Sequence, residues 1–190
     1  MLNTALSARP PFASVRRFAR AESGMAALEF ALILPVMLVL YVGGVEVTEG
    51  LSAKRKVSHA ASAISDLVAQ DTAIANTAEM QDIFEAGSAI LTPFSDTPLK
   101  VTVTAITMDA NKKATVSWAQ TLHGATCPAK GTAVAVPAAL QAANGFLVLV
   151  KAEYAYKPMI GYVLPKSITI HDQLYQAPRS GKAITGPSCG

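Results

Sequence analysis

The sequence predicts an α+β fold: a long N-terminal membrane-spanning helix extended into an exported domain, a second helix, and an antiparallel sheet of about four strands. Three observations predict it. A charge-poor apolar run lies near the N-terminus, helix-period apolar spacing continues beyond it, and period-two alternation fills much of the C-terminal half. The 190 residues suffice for one ordinary domain with an appendage, and the 51% apolar content is high for a soluble chain because much of it sits in that one run.

The run is SGMAALEFALILPVMLVLYVGGVEV, Ser23 to Val47. No charged side chain occurs from Phe30 to Val45, and going back to Met25 adds only Glu29. As a helix, Met25 to Val45 is about 32 Å long, which matches a hydrocarbon core of about 30 Å. One membrane span is therefore predicted, over residues 25–46. Pro35 removes a hydrogen-bond donor and crowds the carbonyl of Ala31, so a kink is expected there. Glu29 is the costly residue, because an acid at the bilayer midplane is unfavourable by roughly 2.5–3.5 kcal/mol. An ordinary anchor would tolerate it at headgroup level, near the end of the span.

Residues 1–24 form a basic leader without apolar periodicity. Arg9, Arg16, Arg17 and Arg20 oppose only Glu22 there, whereas the remaining 166 residues carry twelve basic and twelve acidic side chains. The entire net charge of +3 thus belongs to the leader. A basic flank ahead of an apolar run holds that end in the cytoplasm, which sends the rest of the chain outward. Lys54, Arg55 and Lys56 form an opposing cluster beyond the span. A neutral body also excludes nucleic acid as the partner that a pI of 8.9 would otherwise suggest.

Residues 47–98 read as amphipathic helices and a linker. Val47, Leu51, Val57, Ala61, Ile64 and Val68 recur near helical spacing, with Glu46, Glu49, Lys54, Arg55, His59 and Asp66 assigned to other faces. One helix from Met25 to about Gln70 would be roughly 69 Å long. Asn76 followed by Glu79 is a reciprocal capping pattern that opens a second helix, with Met80, Ile83, Phe84 and Ile90 as its apolar face and Thr92–Pro93 as its stop. Residues 99–190 read as β-rich. LKVTVTAITM (99–108) and ATVSWAQTL (114–122) alternate around the turn residues Asp109 to Lys112, which predicts a hairpin. Phe146 to Tyr156 and Ser167 to Leu174 supply two further strands, and a short helix is expected near Pro137 to Ala143.

Enzyme signatures are missing. There is no nucleophile elbow, phosphate loop or H-E-x-x-H, and the three histidines are far apart, so no catalytic residue, cofactor or metal is assigned. Trp118, Tyr154, Tyr156 and Tyr162 read as core or boundary residues, with partner-facing positions as the alternative. Cys127 and Cys189, an even pair in the exported part, predict one disulfide closing a loop of about 60 residues, worth on the order of 4 kcal/mol. Two free thiols are the alternative; a metal site using His123 and Cys127 lacks a second ligand pair.

The order of basic leader, Gly24, MAAL, then Glu29 and Phe30 at the head of an apolar helix resembles the cleavage motif of type IV and Flp-type prepilins. The longer SGMAALEFALILPVMLVL followed by GGVE resembles the N-terminal signature of the TadE-like family of tight-adherence pilus proteins. A looser likeness extends to Tyr154-x-Tyr156-x-Pro158 and to Pro178–Arg179. The resemblance implies a pilin-like fold and a minor pseudopilin, cut between Gly24 and Met25 by a prepilin peptidase. It also implies a single-pass protein of the bacterial inner membrane, N-terminus cytoplasmic and C-terminal domain periplasmic. Its partners would be the lipid bilayer, other pilin or pseudopilin subunits and the inner-membrane assembly platform, with Glu29 and Phe30 as subunit-docking residues. The alternative is an uncleaved, membrane-anchored periplasmic scaffold of a pilus or secretion machine.

Overall fold

The computed structural model describes residues 22–162, 164 and 166–189; the leader up to residue 21 lies outside them. Helix α1 spans Glu22–Gln70 and α2 spans Thr77–Ser88, followed by a 3-10 turn, Ala89–Leu91. Strands β1 (Leu99–Met108), β2 (Ala114–Leu122), β3 (Phe146–Tyr156) and β4 (Ile168–Gln176) follow, with a second 3-10 turn at Ala138–Leu140. The four strands make one antiparallel sheet in the order β2-β1-β3-β4. The α+β architecture is thus the expected one, with β4 displaced by one residue at its start and two at its end.

The chain divides into two compact units, one ending at Val45 and one comprising Glu46–Gly190. In the first unit α1 continues through Pro35 as helix. Its apolar side chains are solvent-exposed, from Met25 through Leu32 and Leu40 to Tyr41. The window that satisfies the length and hydropathy of a membrane span contains no buried residue. Apolar on all sides and of that length, this part of α1 suits a single membrane pass.

The second unit is built around the other half of α1. Ala53, Val57, Ala60, Ala61, Ile64 and Val68 are all buried, together with α2 residues Met80, Ile83 and Phe84 and one face of the sheet. Gly87 allows α2 to lie close to α1, since a Cβ there would fall 2.3 Å from Cγ1 of Ile64. The predicted stripe needs one correction: Val47 and Leu51 are exposed, and Glu46, assigned to a polar face, is buried. Glu46 leads Ala53 by seven residues, two helical turns, and Ala53 leads Val57 by four. These three therefore share a face, while Val47 lies about 100° and Leu51 about 140° away from it.

Capping starts α2 as its sequence dictates. The side chain of Asn76 accepts from the Glu79 amide at 3.0 Å, and the Glu79 carboxylate accepts from the Ala75 amide at 2.6 Å, one residue earlier than the expected reciprocal bond. At the β1–β2 turn, Oδ1 of Asp109 accepts from the amides of Asn111 and Lys113, both at 2.8 Å. An Asp side chain that organises the backbone after it is what makes Asp a turn residue.

The sheet buries residues on both faces. Leu99, Val101, Val103 and Ala105 of β1 join the helix-side core, with Val148, Val150, Ala152, Tyr154 and Tyr156 of β3. Ile106, Met108, Ala114, Leu147 and Leu149 form a second cluster with Val136 of the β2–β3 connection. The register between β1 and β2 shifts after Ala105, where Trp118 and then Val116 are the partners, leaving Ser117 as an extra residue. A bulge of this kind inverts the phase of a strand, so Trp118 and Ala114 serve opposite faces although both numbers are even.

The chain end then locks over β2. Trp118 is buried and its indole N–H donates to the Ile184 carbonyl at 2.7 Å. Gly186 lies flat against the ring, where a Cβ would fall 2.8 Å from Cε2. The Cys189 amide donates to the Ala119 carbonyl at 2.8 Å, and a disulfide joins Cys127 to Cys189 with Cα atoms 6.5 Å apart.

Candidate functional site

Gly24, Met25, Glu29, Phe30 and Pro35 all lie on α1 in the first unit. Met25 and Glu29 are separated by four residues, so their side chains are neighbours on one face, about one turn apart. Gly24 is exposed, with open space where a Cβ would be built. Met25 and Phe30 expose 65% and 64% of their surface, too much for core residues of this unit. The Gly24–Met25 bond lies within α1, which begins at Glu22. Glycine is about 1 kcal/mol poorer than alanine in a helix, so Gly24 weakens that turn.

Glu46 opens the second unit and was missed as a site residue because a charged side chain reads as solvent-facing. Its relative exposure is 1%. Oε1 accepts from the Tyr162 amide at 2.8 Å and Oε2 from the Leu164 amide at 3.0 Å. Backbone N–H groups are suitable partners for a buried carboxylate, because each satisfies one of its lone pairs. The signal available in the sequence was its register with Ala53 and Val57.

Beside it an open groove of about 850 Å³ is lined by Glu49, Ser52, Phe94, Tyr156, Lys157 and Met159, among others. Both tyrosines of the Tyr154-x-Tyr156 pair face the helices. The Tyr154 hydroxyl donates to the Ser95 carbonyl at 2.9 Å, and Tyr156 meets Phe94 edge-on with ring centroids 6.1 Å apart. Tyr162, grouped with them as core or boundary, is instead 79% exposed. Pro178 leads into Arg179, which pairs with Asp66 and donates its amide to the Ala69 carbonyl, one of the unpaired carbonyls at the end of α1. Lys56 likewise donates to the carbonyls of Ile90 (3.2 Å) and Thr92 (2.6 Å), which accounts for one member of the basic cluster.

The hydroxyls of Tyr154 and Tyr156 titrate above their ordinary range. For Tyr154 the causes are burial, then Tyr156 and Asp96; for Tyr156 they are burial, then Glu49 and Glu46. Both changes disfavour the phenolate in the folded state. Their contribution is therefore complete below about pH 10, the unfolded value, and is lost as pH rises through the folded pKa. Thermal melts of the full chain should show a Tm that falls above about pH 10, and Tyr154→Phe should shrink this fall. An unchanged alkaline limb in that variant would contradict the assignment.

Among the described residues, no group of His, Cys, Asp and Glu is arranged to hold a metal ion. The family model for TadE-like protein matches residues 24–65. This segment is TadE-like. The match begins at Gly24 and takes in Met25, Glu29, Phe30, Pro35 and Glu46, ending on the buried face of α1 at Ile64 and Ser65. No curated protein and no solved structure matches the chain. The TadE-like segment thus supplies both the membrane-length apolar helix and the helical face on which the second unit is assembled.

Proposed function

We propose that the protein is a minor pilin-like component, a pseudopilin, of a Tad/Flp-type pilus, processed after Gly24 by a prepilin peptidase and anchored in the inner membrane by residues 25–46. The observation that carries this reading is the TadE-like match starting at Gly24, the residue that precedes the proposed cut. Cleavage would create an amine on Met25, one turn from Glu29 and at the positive end of the shortened helix. A carboxylate in the first turn is stabilised there by about 0.3–1 kcal/mol at an exposed position, more where partly buried. In a fibre the same carboxylate would pair with the amine of a neighbouring subunit, with Phe30 packed beside it. The bilayer, the peptidase, other pilin or pseudopilin subunits and the assembly platform are the partners this role requires.

Glu29→Ala tests the docking role. The variant should be exported and cut as the parent is, while fibre assembly, scored by sheared-pilus yield and electron microscopy, is lost or sharply reduced. Normal fibre yield from Glu29→Ala would remove the charge-pairing role.

One observation favours the second reading, an uncleaved scaffold: the Gly24–Met25 bond is helical in α1, and a scissile bond must be presented to a protease in an unwound form. Under that reading the periplasmic domain acts as a fixed platform and never enters a fibre.

A further inference from the structure

We infer that residues 157–162, the first part of the β3–β4 connection, form a second membrane contact, seated in the interfacial layer of the bilayer that receives α1. The inference rests on the anchoring of residues 25–46 proposed above and adds a site outside the TadE-like segment.

Three observations converge on this loop. Its tether is Glu46, which accepts from the amides of Tyr162 and Leu164. Glu46 directly follows Val45, the last residue of the apolar run, so chain geometry alone puts its backbone about 1.5 Å beyond the end of that run. The headgroup layer on each side of a bilayer is about 5–7 Å thick, so a loop tied to the first residue after the apolar run is within reach of it.

The second observation is exposure: Met159, at the edge of the groove that it helps to line, is 88% exposed, Ile160 57% and Tyr162 79%. Three large apolar or amphipathic side chains in four residues, displayed outward, form a patch that water disfavours. The third is composition. A tyrosine beside aliphatic side chains, with Lys157 ahead of them and Lys166 after, both exposed, is the chemistry of a segment that lies in a membrane surface. Aliphatic groups enter the acyl boundary, the tyrosine hydroxyl stays with the headgroups, and the lysines reach phosphate. The buried carboxylate of Glu46 completes the arrangement, because it lets the loop backbone approach the membrane surface with those amides already paired.

A protein partner, such as a second copy of this chain, would cover the same side chains without placing them in lipid. The two occupants separate by depth-resolved quenching. Full-length Tyr162→Trp is reconstituted into phosphatidylethanolamine–phosphatidylglycerol vesicles with bromine either high on the acyl chain or near its terminal methyl; the buried Trp118 supplies the unquenched baseline. Met159→Trp is measured in parallel, so that the result does not hang on one substitution. The expected result is a loss of the added emission, larger with the shallow bromine, in both variants. Protein that floats with the vesicles but keeps a water-like, unquenched added emission overturns the loop contact and leaves the anchor intact. Blue-shifted emission without quenching assigns the patch to a protein and overturns it equally. Failure to float with the vesicles overturns the anchor and the loop contact together.

Discussion

Replacing both cysteines, Cys127→Ser with Cys189→Ser, should lower the unfolding free energy of the full chain by about 4 kcal/mol, the chain-entropy value for a loop of this length. The bond spans 62 residues, so the unfolded chain regains most of the freedom that the crosslink removes. The native side has a built-in reporter. The single tryptophan, Trp118, is covered by the tail that the disulfide holds, through Ile184, Gly186 and Cys189. Loss of the bond should shift the denaturation midpoint down and move the native tryptophan emission to the red as the tail frays. Retention of both parent values would show that the tail is held by its backbone bonds and packing alone. The same bond is also a chemical argument for an oxidising compartment, as the proposed periplasmic domain requires.

The second large effect is expected at Glu46. Hydrogen bonds to a charged group contribute about 1.5–3 kcal/mol each, so Glu46→Ala should speed hydrogen exchange at the Tyr162 and Leu164 amides by roughly tenfold to over a hundredfold. Mass-resolved exchange of the peptides that cover them reads this directly. Glu49→Ala is the control, because Glu49 lines the neighbouring groove and accepts neither amide. Equal protection in Glu46→Ala and the parent would mean that packing of the loop, and not the carboxylate, sets its position.

The elements that were legible in the sequence are those whose causes are local. Asn76 and Glu79 cap α2 through side chains three residues apart, and Asp109 organises the β1–β2 turn within four residues. Strand alternation from Leu99 to Met108 and from Phe146 to Tyr156 follows from the two-residue period of the pleat. The displaced features have distant causes. Glu46 is buried by amides 116 and 118 residues away in sequence, so nothing near it distinguishes it from an exposed acid except its helical register. Val47 and Leu51 look like stripe residues until that register is fixed by Ala53 and Val57. The bulge at Ser117 follows from the shift of β2 against β1 and has no composition signal of its own. The proposed processing residues rest on local order alone: Gly24, Met25, Glu29 and Phe30 lie within two turns of one helix.

The central claim is that the TadE-like segment is a processed anchor, and the intact mass of the membrane-bound protein tests it most directly. In a strain with active prepilin peptidase, the purified chain should begin at Met25, and replacing Gly24 with a bulky residue should restore the full-length mass. A parent protein recovered from the same strain at the mass of Met1 to Gly190 would contradict the account and leave the uncleaved scaffold in its place.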